Sequence, residues 1–361
     1  MAIEGLTEDD ALESRLGGEG FVFFRLPDAD TYTYVAQRDA PETFSDCAGL
    51  KDARGVVIAP FRISDETPIL LIRPDYISSR PVPPAVCPAV PYSHDGPARR
   101  CDYHDSFSVC HEALRRGLVR KVVCSRRLKV GFPENTSVNP VLLFREACRL
   151  HPHCYVSLWW TRRTGCWLVA TPETLLSSDG GSWTTMALAG TMTAAEGSDP
   201  AAWNTKNKEE QRYVSAFIQN RLRDVVKKMD ISEAYPCRAG NLVHLRTDFR
   251  FVPKDGVLCA DILDRLHPTP AVCGVPLDAA RRLIDEAEPD GRRYYAGFSG
   301  MIGMDGGTHL YVSLRCMELQ PGGALLYAGG GLLESSDEEE EWVETCRKLQ
   351  PMLELFGKKR V

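Results

Sequence analysis

The chain has no long hydrophobic run. Nothing in its 361 residues is apolar over the length needed to cross a bilayer, which excludes a transmembrane helix. It has no basic excess: 43 Lys and Arg stand against 49 Asp and Glu, a formal net charge of −6, so the chain as a whole is no nucleic-acid binder. It has no C-x-x-C pair. Its 13 cysteines are odd in number and scattered, which suits reduced thiols in a cytoplasm and not a disulfide framework. Gly297, Gly300 and Gly303 match neither nucleotide-binding glycine pattern, so a Rossmann or P-loop reading is set aside. No fixed-period repeat is present. Met1-Ala2-Ile3-Glu4 turns acidic early and lacks a charged segment followed by an apolar one, so no secretory leader is expected. What is present is a soluble globular composition, 43% hydrophobic and 25% charged, in a chain long enough for one large domain or two smaller ones.

Gly20–Arg25 and Gly55–Pro60 read as short buried strands, and the proline-rich residues 79–98 read as a long loop or internal linker. This first third shows no chemistry and is expected to supply outer elements. Further on, helices are expected over His111–Leu118, Val138–Leu150, Trp203 to about Lys228, and Leu277–Ala287. Strands are expected over Val119–Val130, Cys154–Trp160, Cys166–Ala170, Trp183–Leu188, His309–Cys316 and Ala324–Ala328. Hairpins outnumber strand–helix–strand units, which predicts an α+β fold with antiparallel sheets. Ser336 followed by Glu339 reads as a capping box that starts a last helix near Asp337. Trp342, Cys346, Leu349, Leu353 and Phe356 give that helix an apolar stripe, with Glu341, Glu344 and Lys348 on a neighbouring stripe. The glycines before it, Gly329–Gly331, free backbone N–H groups for an anion. Two carboxylates and an ammonium beside them suit a hard divalent cation next to a carboxylated substrate, although acids in a first helical turn also simply suit the helix dipole.

Several other residues carry two readings each. Lys121, on an alternating apolar strand, is either an edge-strand lysine or a desolvated base. Glu173, after Thr171-Pro172, is a turn carboxylate or a general acid. Glu210 lies on the apolar face of its helix, which calls for a partner or a metal; a salt bridge to Lys206 four residues earlier is an equal account. Glu209 falls off that face. Gly190 and Thr191 close a strand where backbone N–H groups can approach a carboxylate. Arg315 ends an apolar strand and can fork onto a carboxylate. His244 reads first as a core histidine, and His151, His153 and Cys154 as the start of a strand, not as metal ligands.

Taken in order, Arg120–Val123, Thr171–Glu173, Ala187–Thr191, Lys206–Glu210, His244–Thr247, Leu266–Ala271, Tyr295–Gly297 and Glu341–Thr345 with the preceding glycines make a specific set. Over about residues 105–357 the chain resembles the chorismate-utilising enzymes, and within them most closely an isochorismate synthase. The resemblance implies one domain over residues 1–361, with 1–104 less recognisable and 105–357 catalytic, built as two antiparallel β-sheets forming a core flanked by helices. It implies Mg²⁺ held by Glu210 and Glu344 with Glu341 in support. It implies Lys121 activating a water for ring carbon 2 and Glu173 protonating the hydroxyl that leaves carbon 4. Arg315, Lys348 and the N–H groups around Gly190 and Gly329 would hold the substrate's carboxylates, and Thr191, His244, Ala271 and Tyr295 would line the pocket.

Ala189 stands where aminodeoxychorismate synthases carry a nucleophilic lysine, and Ala271 where lyase members tend to have threonine, so the resemblance implies a reaction that stops at isochorismate. Salicylate synthase and a catalytically silent homologue are the alternatives. Gln211, Asn207, Thr171 and Gly330 depart from the usual family residues. The expected partner is chorismate alone, with no nucleic acid, membrane or glutaminase subunit, in the cytoplasm. Quinone, siderophore and salicylate synthesis are equally open as destinations.

Overall fold

The structure, a computed structural model, describes residues 18–83, 89–195, 197, 199, 202–239 and 242–357. The N-terminal residues on which the absence of a leader was read lie outside them, as do residues 84–88 of the expected proline-rich loop.

The elements run β1 (Gly20–Arg25), β2 (Thr31–Gln37), β3 (Glu42–Phe44), β4 (Gly55–Ala59), β5 (Ile69–Ile72), β6 (Tyr76–Pro81), β7 (Ser93–His94), α1 (Arg100–Arg115), β8 (Lys121–Gly131), α2 (Pro140–Leu150), β9 (Tyr155–Thr161), β10 (Gly165–Thr171), β11 (Thr174–Ser178) and β12 (Trp183–Thr193). They continue with α3 (Thr205–Leu222), β13 (Val226–Ile231), β14 (Tyr235–Ala239), β15 (Leu242–Pro253), α4 (Cys259–Leu266), β16 (Gly274–Val275), α5 (Leu277–Ala287), β17 (Phe298–Met304), β18 (Gly307–Val312), β19 (Cys316–Gln320), β20 (Gly323–Leu332) and α6 (Glu338–Leu353). One sheet has the order β16-β8-β20-β19-β10-β9-β1-β2-β6, and the other β13-β15-β12-β11-β18-β17-β4-β5-β3; β7 and β14 add to β8 and β15. The pairings are antiparallel, so the expected α+β class with two antiparallel sheets is what forms.

The alternation of strand side chains explains the continuous apolar runs. In β1, Val22 and Phe24 enter the core shared by the two sheets, while Phe21 and Phe23 face a second core under α2 and the end of α6. Both faces of this sheet are covered, so the strand is apolar at every position from 21 to 24. The first third of the chain extends one edge of each sheet, with β1, β2 and β6 on one and β3, β4 and β5 on the other.

Several boundaries differ from the sequence expectation. The helix expected from His111 begins at Arg100, its buried face made by Tyr103, Phe107, Cys110 and Leu114. It ends where Gly117 takes a φ of +68° and Leu118 N bonds Ala113 O. The helix expected to reach Lys228 stops at Leu222, because Val226 pairs with Pro253 and starts a hairpin missed in the sequence. The expected loop at 79–98 contains the end of β6 and all of β7.

Candidate active site

The chain crosses between the sheets twice in one place. Thr171 ends β10 in the first sheet and Thr174 begins β11 in the second, so Pro172 and Glu173 lie on the crossing. Val312 ends β18 in the second and Cys316 begins β19 in the first, so Arg315 lies on the return. Two backbone bonds tie the crossings together, Val312 N to Glu173 O at 2.9 Å and Ala170 N to Arg315 O at 3.1 Å. Arg315 has a φ of +45°, a conformation a non-glycine residue keeps only where its surroundings impose it.

A cavity of about 70 Å³ opens at this point; its lining includes Glu173, Gly190, Thr191, Glu210, His244 and Ala271. Tyr295, Arg315, Gly329 and Lys348 complete the wall that the sequence singled out. Two roomier clefts, of about 570 and 1010 Å³, lie elsewhere, on α1 and α5 and beside α4. Neither contains the buried amine and acid described next.

Lys121, at the start of β8, has no solvent exposure. Its Nζ donates to Pro270 O at 2.7 Å and lies 3.2 Å from Glu210 Oε1. Burial pushes its pKa down, and Glu210 offsets this only in part. Glu173 is 3% exposed, and burial lifts its carboxyl to about 8 against the pull of Lys121, Lys348 and Arg315. An amine biased toward its neutral form and an acid biased toward its protonated form thus share one site, the combination expected of an acid–base pair.

His244 is held neutral: burial, then Arg315 and Lys348, push it down to about 3. Its Nδ1 faces Gly190 O at 3.0 Å, so Nδ1 carries the proton and Nε2 accepts from Arg315 Nη2 at 3.2 Å. Thr191 Oγ1 is 3.3 Å from the same Nδ1. Gly190 forms a bulge in β12 with a φ of +73°, and a Cβ there would meet Asn207 O at 3.0 Å. Gln211 braces this region, donating to Ala187 O at 3.1 Å and Thr247 Oγ1 at 3.2 Å.

The last helix departs from the expected pattern in two ways. Asp337, not Ser336, is the cap, accepting from Glu339 N and Glu340 N. Ser336 Oγ instead accepts from Leu333 N and donates to Glu341 Oε1 at 2.8 Å. Second, Glu341 is not on an edge stripe. It is 1% exposed on the innermost face with Thr345 and Leu349, while Trp342 is half-buried beneath Arg100 and Arg126. The glycines read as offering free N–H groups to an anion instead belong to a strand. Gly329, Gly330 and Gly331 pair with Ser125, Cys124 and Val123 of β8. Their value is the missing side chain: a Cβ would lie 2.8 Å from Tyr295 OH at Gly329, 2.8 Å from Glu341 Oε2 at Gly330 and 2.1 Å from Glu210 Oε1 at Gly331. On its other side β20 keeps β19 only as far as Tyr327, so the glycines line the site without a strand between.

Each of the three carboxylates meets a lysine. Glu210 meets Lys121, Glu344 Oε1 meets Lys348 Nζ at 2.7 Å, and Glu341 meets Lys206. A salt bridge from Glu210 to Lys206 was one of the two readings of that carboxylate; helix geometry allowed it, but the ammonium turns to α6 instead. Burial would raise Glu344, yet Lys348 beside it carries the net direction down. Glu341 is raised to about 7 by burial and then by Glu344. Lys348 Nζ also donates to Gly329 O at 2.9 Å. Among the described residues no three His, Cys, Asp or Glu side chains stand gathered around a common metal position. The donor set nevertheless fits a hard cation: all-oxygen, anionic, walled by glycines, with Glu341 Oε2 buried and without a hydrogen-bond partner among the described residues. His151 and His153 serve structure, one capping α2 and the other meeting Asp28.

Sequence reasoning missed Pro270 O and Ser336 as partners within the site. It also missed the Arg292–Glu288 pair, in which Arg292 Nη1 and Nη2 hold Val272 O and Val123 O at 2.7 Å each and so fix the loop of Ala271 against β8. A backbone carbonyl leaves no trace in residue type, and the other contacts span long separations.

Residues 85–357 match the family model described as chorismate binding enzyme. The isochorismate synthase EntC of Escherichia coli K12 is 28% identical over 247 residues, 66% of this chain and 63% of that protein. MenF of the same organism, an isochorismate synthase, is 31% identical over 66% of this chain and 56% of its own. The salicylate biosynthesis isochorismate synthase of Pseudomonas aeruginosa is 33% identical over 57% of this chain and 45% of its own. Each match thus covers less than two-thirds of the relative's length. The solved structure of DhbC from Bacillus anthracis superposes with a TM-score of 0.81 at 24% identity, over 96% of this chain and 99% of that one, and E. coli MenF with 0.78 at 22%, over 96% and 90%. These last two likenesses show the fold. With the family match running through nearly every element that builds the cavity, the chain belongs to the chorismate binding enzyme family.

Proposed function

We propose that the protein is an isochorismate synthase, moving the hydroxyl of chorismate from ring carbon 4 to ring carbon 2. The observation that carries this is the placement of two buried groups: Glu173 lines the cavity, and Lys121, fully buried, reaches Pro270 O and Glu210 just behind the cavity wall at Gly331, with burial pushing the amine down and the acid up. Lys121, its pKa lowered by burial, takes a proton from a water whose oxygen bonds to carbon 2. The electron pair shifts through the ring diene, and the hydroxyl on carbon 4 leaves as water with the proton of Glu173. One water enters and one departs, so the reaction is an isomerisation. Arg315, oriented by the neutral ring of His244, and Lys348 supply positive charge for the substrate's carboxylates.

Glu210 and Glu344, with Glu341 in support, would hold a magnesium ion, which would supply further positive charge to a carboxylate of the substrate. Ala271 leaves the site without the hydroxyl that lyase members tend to carry there. No described helix is long and apolar enough to cross a membrane, and the scattered cysteines fit a reducing cytoplasm.

The test is chromatography of chorismate incubated with the protein and MgCl₂. Isochorismate without pyruvate is the expected result. Pyruvate release would make it a salicylate synthase, and unchanged chorismate a silent homologue.

A further inference from the structure

Three lysines meet three carboxylates at the inner face of α6, and two of the lysines have a part in the reaction proposed above. Lys206 has none. Its ammonium lies against Glu341 Oε1, with side-chain exposures of 19% for the lysine and 1% for the acid. It stands in the first turn of α3, where the helix dipole disfavours a cation. Its ammonium is held there by Glu341, an acid of the proposed ion site. Glu341 meanwhile has one oxygen taken by Lys206 and Ser336, and the other, Oε2, buried on the Gly330 side with no donor among the described residues. An unpaired carboxylate oxygen in such a place is costly until a cation reaches it.

We infer that Lys206 is a built-in counter-cation: it holds Glu341 while no divalent ion is bound, and a magnesium ion must displace it. The inference rests on the proposed ion requirement. Ion and ammonium compete for one acid, so the apparent affinity for magnesium is reduced by the fraction of time the pair is closed.

The experiment is isothermal titration of MgCl₂ into chelator-stripped full-length protein, without substrate. It is made on the wild type, Lys206→Met, Lys206→Arg, Glu341→Gln and the Lys206→Met/Glu341→Gln double variant, each checked for a cooperative thermal melt. If the pair is closed about nine-tenths of the time, Lys206→Met binds magnesium about tenfold more tightly. Lys206→Arg keeps the charge and stays near wild type. In the Glu341→Gln background the same lysine substitution changes affinity less than about twofold, since the competition has gone. Unchanged or weaker binding by Lys206→Met overturns the inference, as does an equal gain in the Glu341→Gln background, which would mark a general charge effect. Lys206→Gln serves as the second variant should Met fail to fold. If neither the wild type nor any lysine variant binds magnesium, the ion site itself is refuted, and the inference with it.

Discussion

Replacing Glu173 by glutamine should slow the enzyme and stabilise the protein, and the two effects share one cause. The carboxyl is held at about 8 against an ordinary 4.5, first by burial. A carboxyl whose pKa is raised in the folded state costs stability once the unfolded chain can ionise and the folded one resists. The sign is therefore a penalty absent well below pH 4.5, growing as pH rises, and complete near pH 8. With those two values the penalty is about 1 kcal/mol at pH 5 and about 4 kcal/mol at pH 8. Glutamine keeps the shape and carries no charge to desolvate. Urea melts of both proteins at pH 5 and pH 8 should show the stability difference, variant minus wild type, widening by about 3 kcal/mol. Activity should move the other way, falling roughly 10²- to 10⁴-fold with loss of the acid. The decline of wild-type activity above about pH 8, where Glu173 gives up its proton, should be missing from whatever activity the variant retains. A stability difference that stays constant between the two pH values would refute the argument that burial poises this carboxyl. Turnover within threefold of wild type would refute its role as acid.

Lys121→Met should reduce chorismate turnover at least about 10²-fold by removing the base, while the cooperative melt remains; wild-type rates would remove the lysine from the mechanism. Gly331→Ala places a methyl 2.1 Å from Glu210 Oε1, against an acid already packed on Lys121. It should lower thermal stability and weaken magnesium binding together, and a variant matching wild type in both would show that this wall is slack.

Much of the site was legible because its side chains interrupt patterns. Lys121 breaks an alternating apolar strand and Glu210 breaks the apolar face of α3, and both are buried where those patterns point. Glu341 was misjudged for the opposite reason. A helix's inward face is ordinarily sought among its apolar residues, and Trp342 drew the stripe toward itself. The inward residue is an acid because the strand it faces has glycine where a side chain would otherwise stand. Register decides that, and register across separate elements is not written in either segment alone. The partners of the charged groups were hidden likewise: Lys206 and Glu341 are 135 positions apart, and Lys121 and Pro270 are 149. The strand edges and the hairpin at β9 and β10 were near their expected places because a polar turn between apolar runs is a local signal. The hairpins between residues 226 and 253 were not, since Val225 and Val226 continue the apolar face of the preceding helix until tertiary pairing turns them into a strand.

β20 follows the other described strands in the sequence, yet it lies in mid-sheet between β8 and β19. It alone joins β8, with β7 and β16, to the rest of that sheet, and it does so through pairs as distant in sequence as Val123 and Gly331. The glycine wall beside Lys121 and Glu210 is therefore complete only once this long-range pairing has formed, and forming such pairings is an intrinsically slow step of folding.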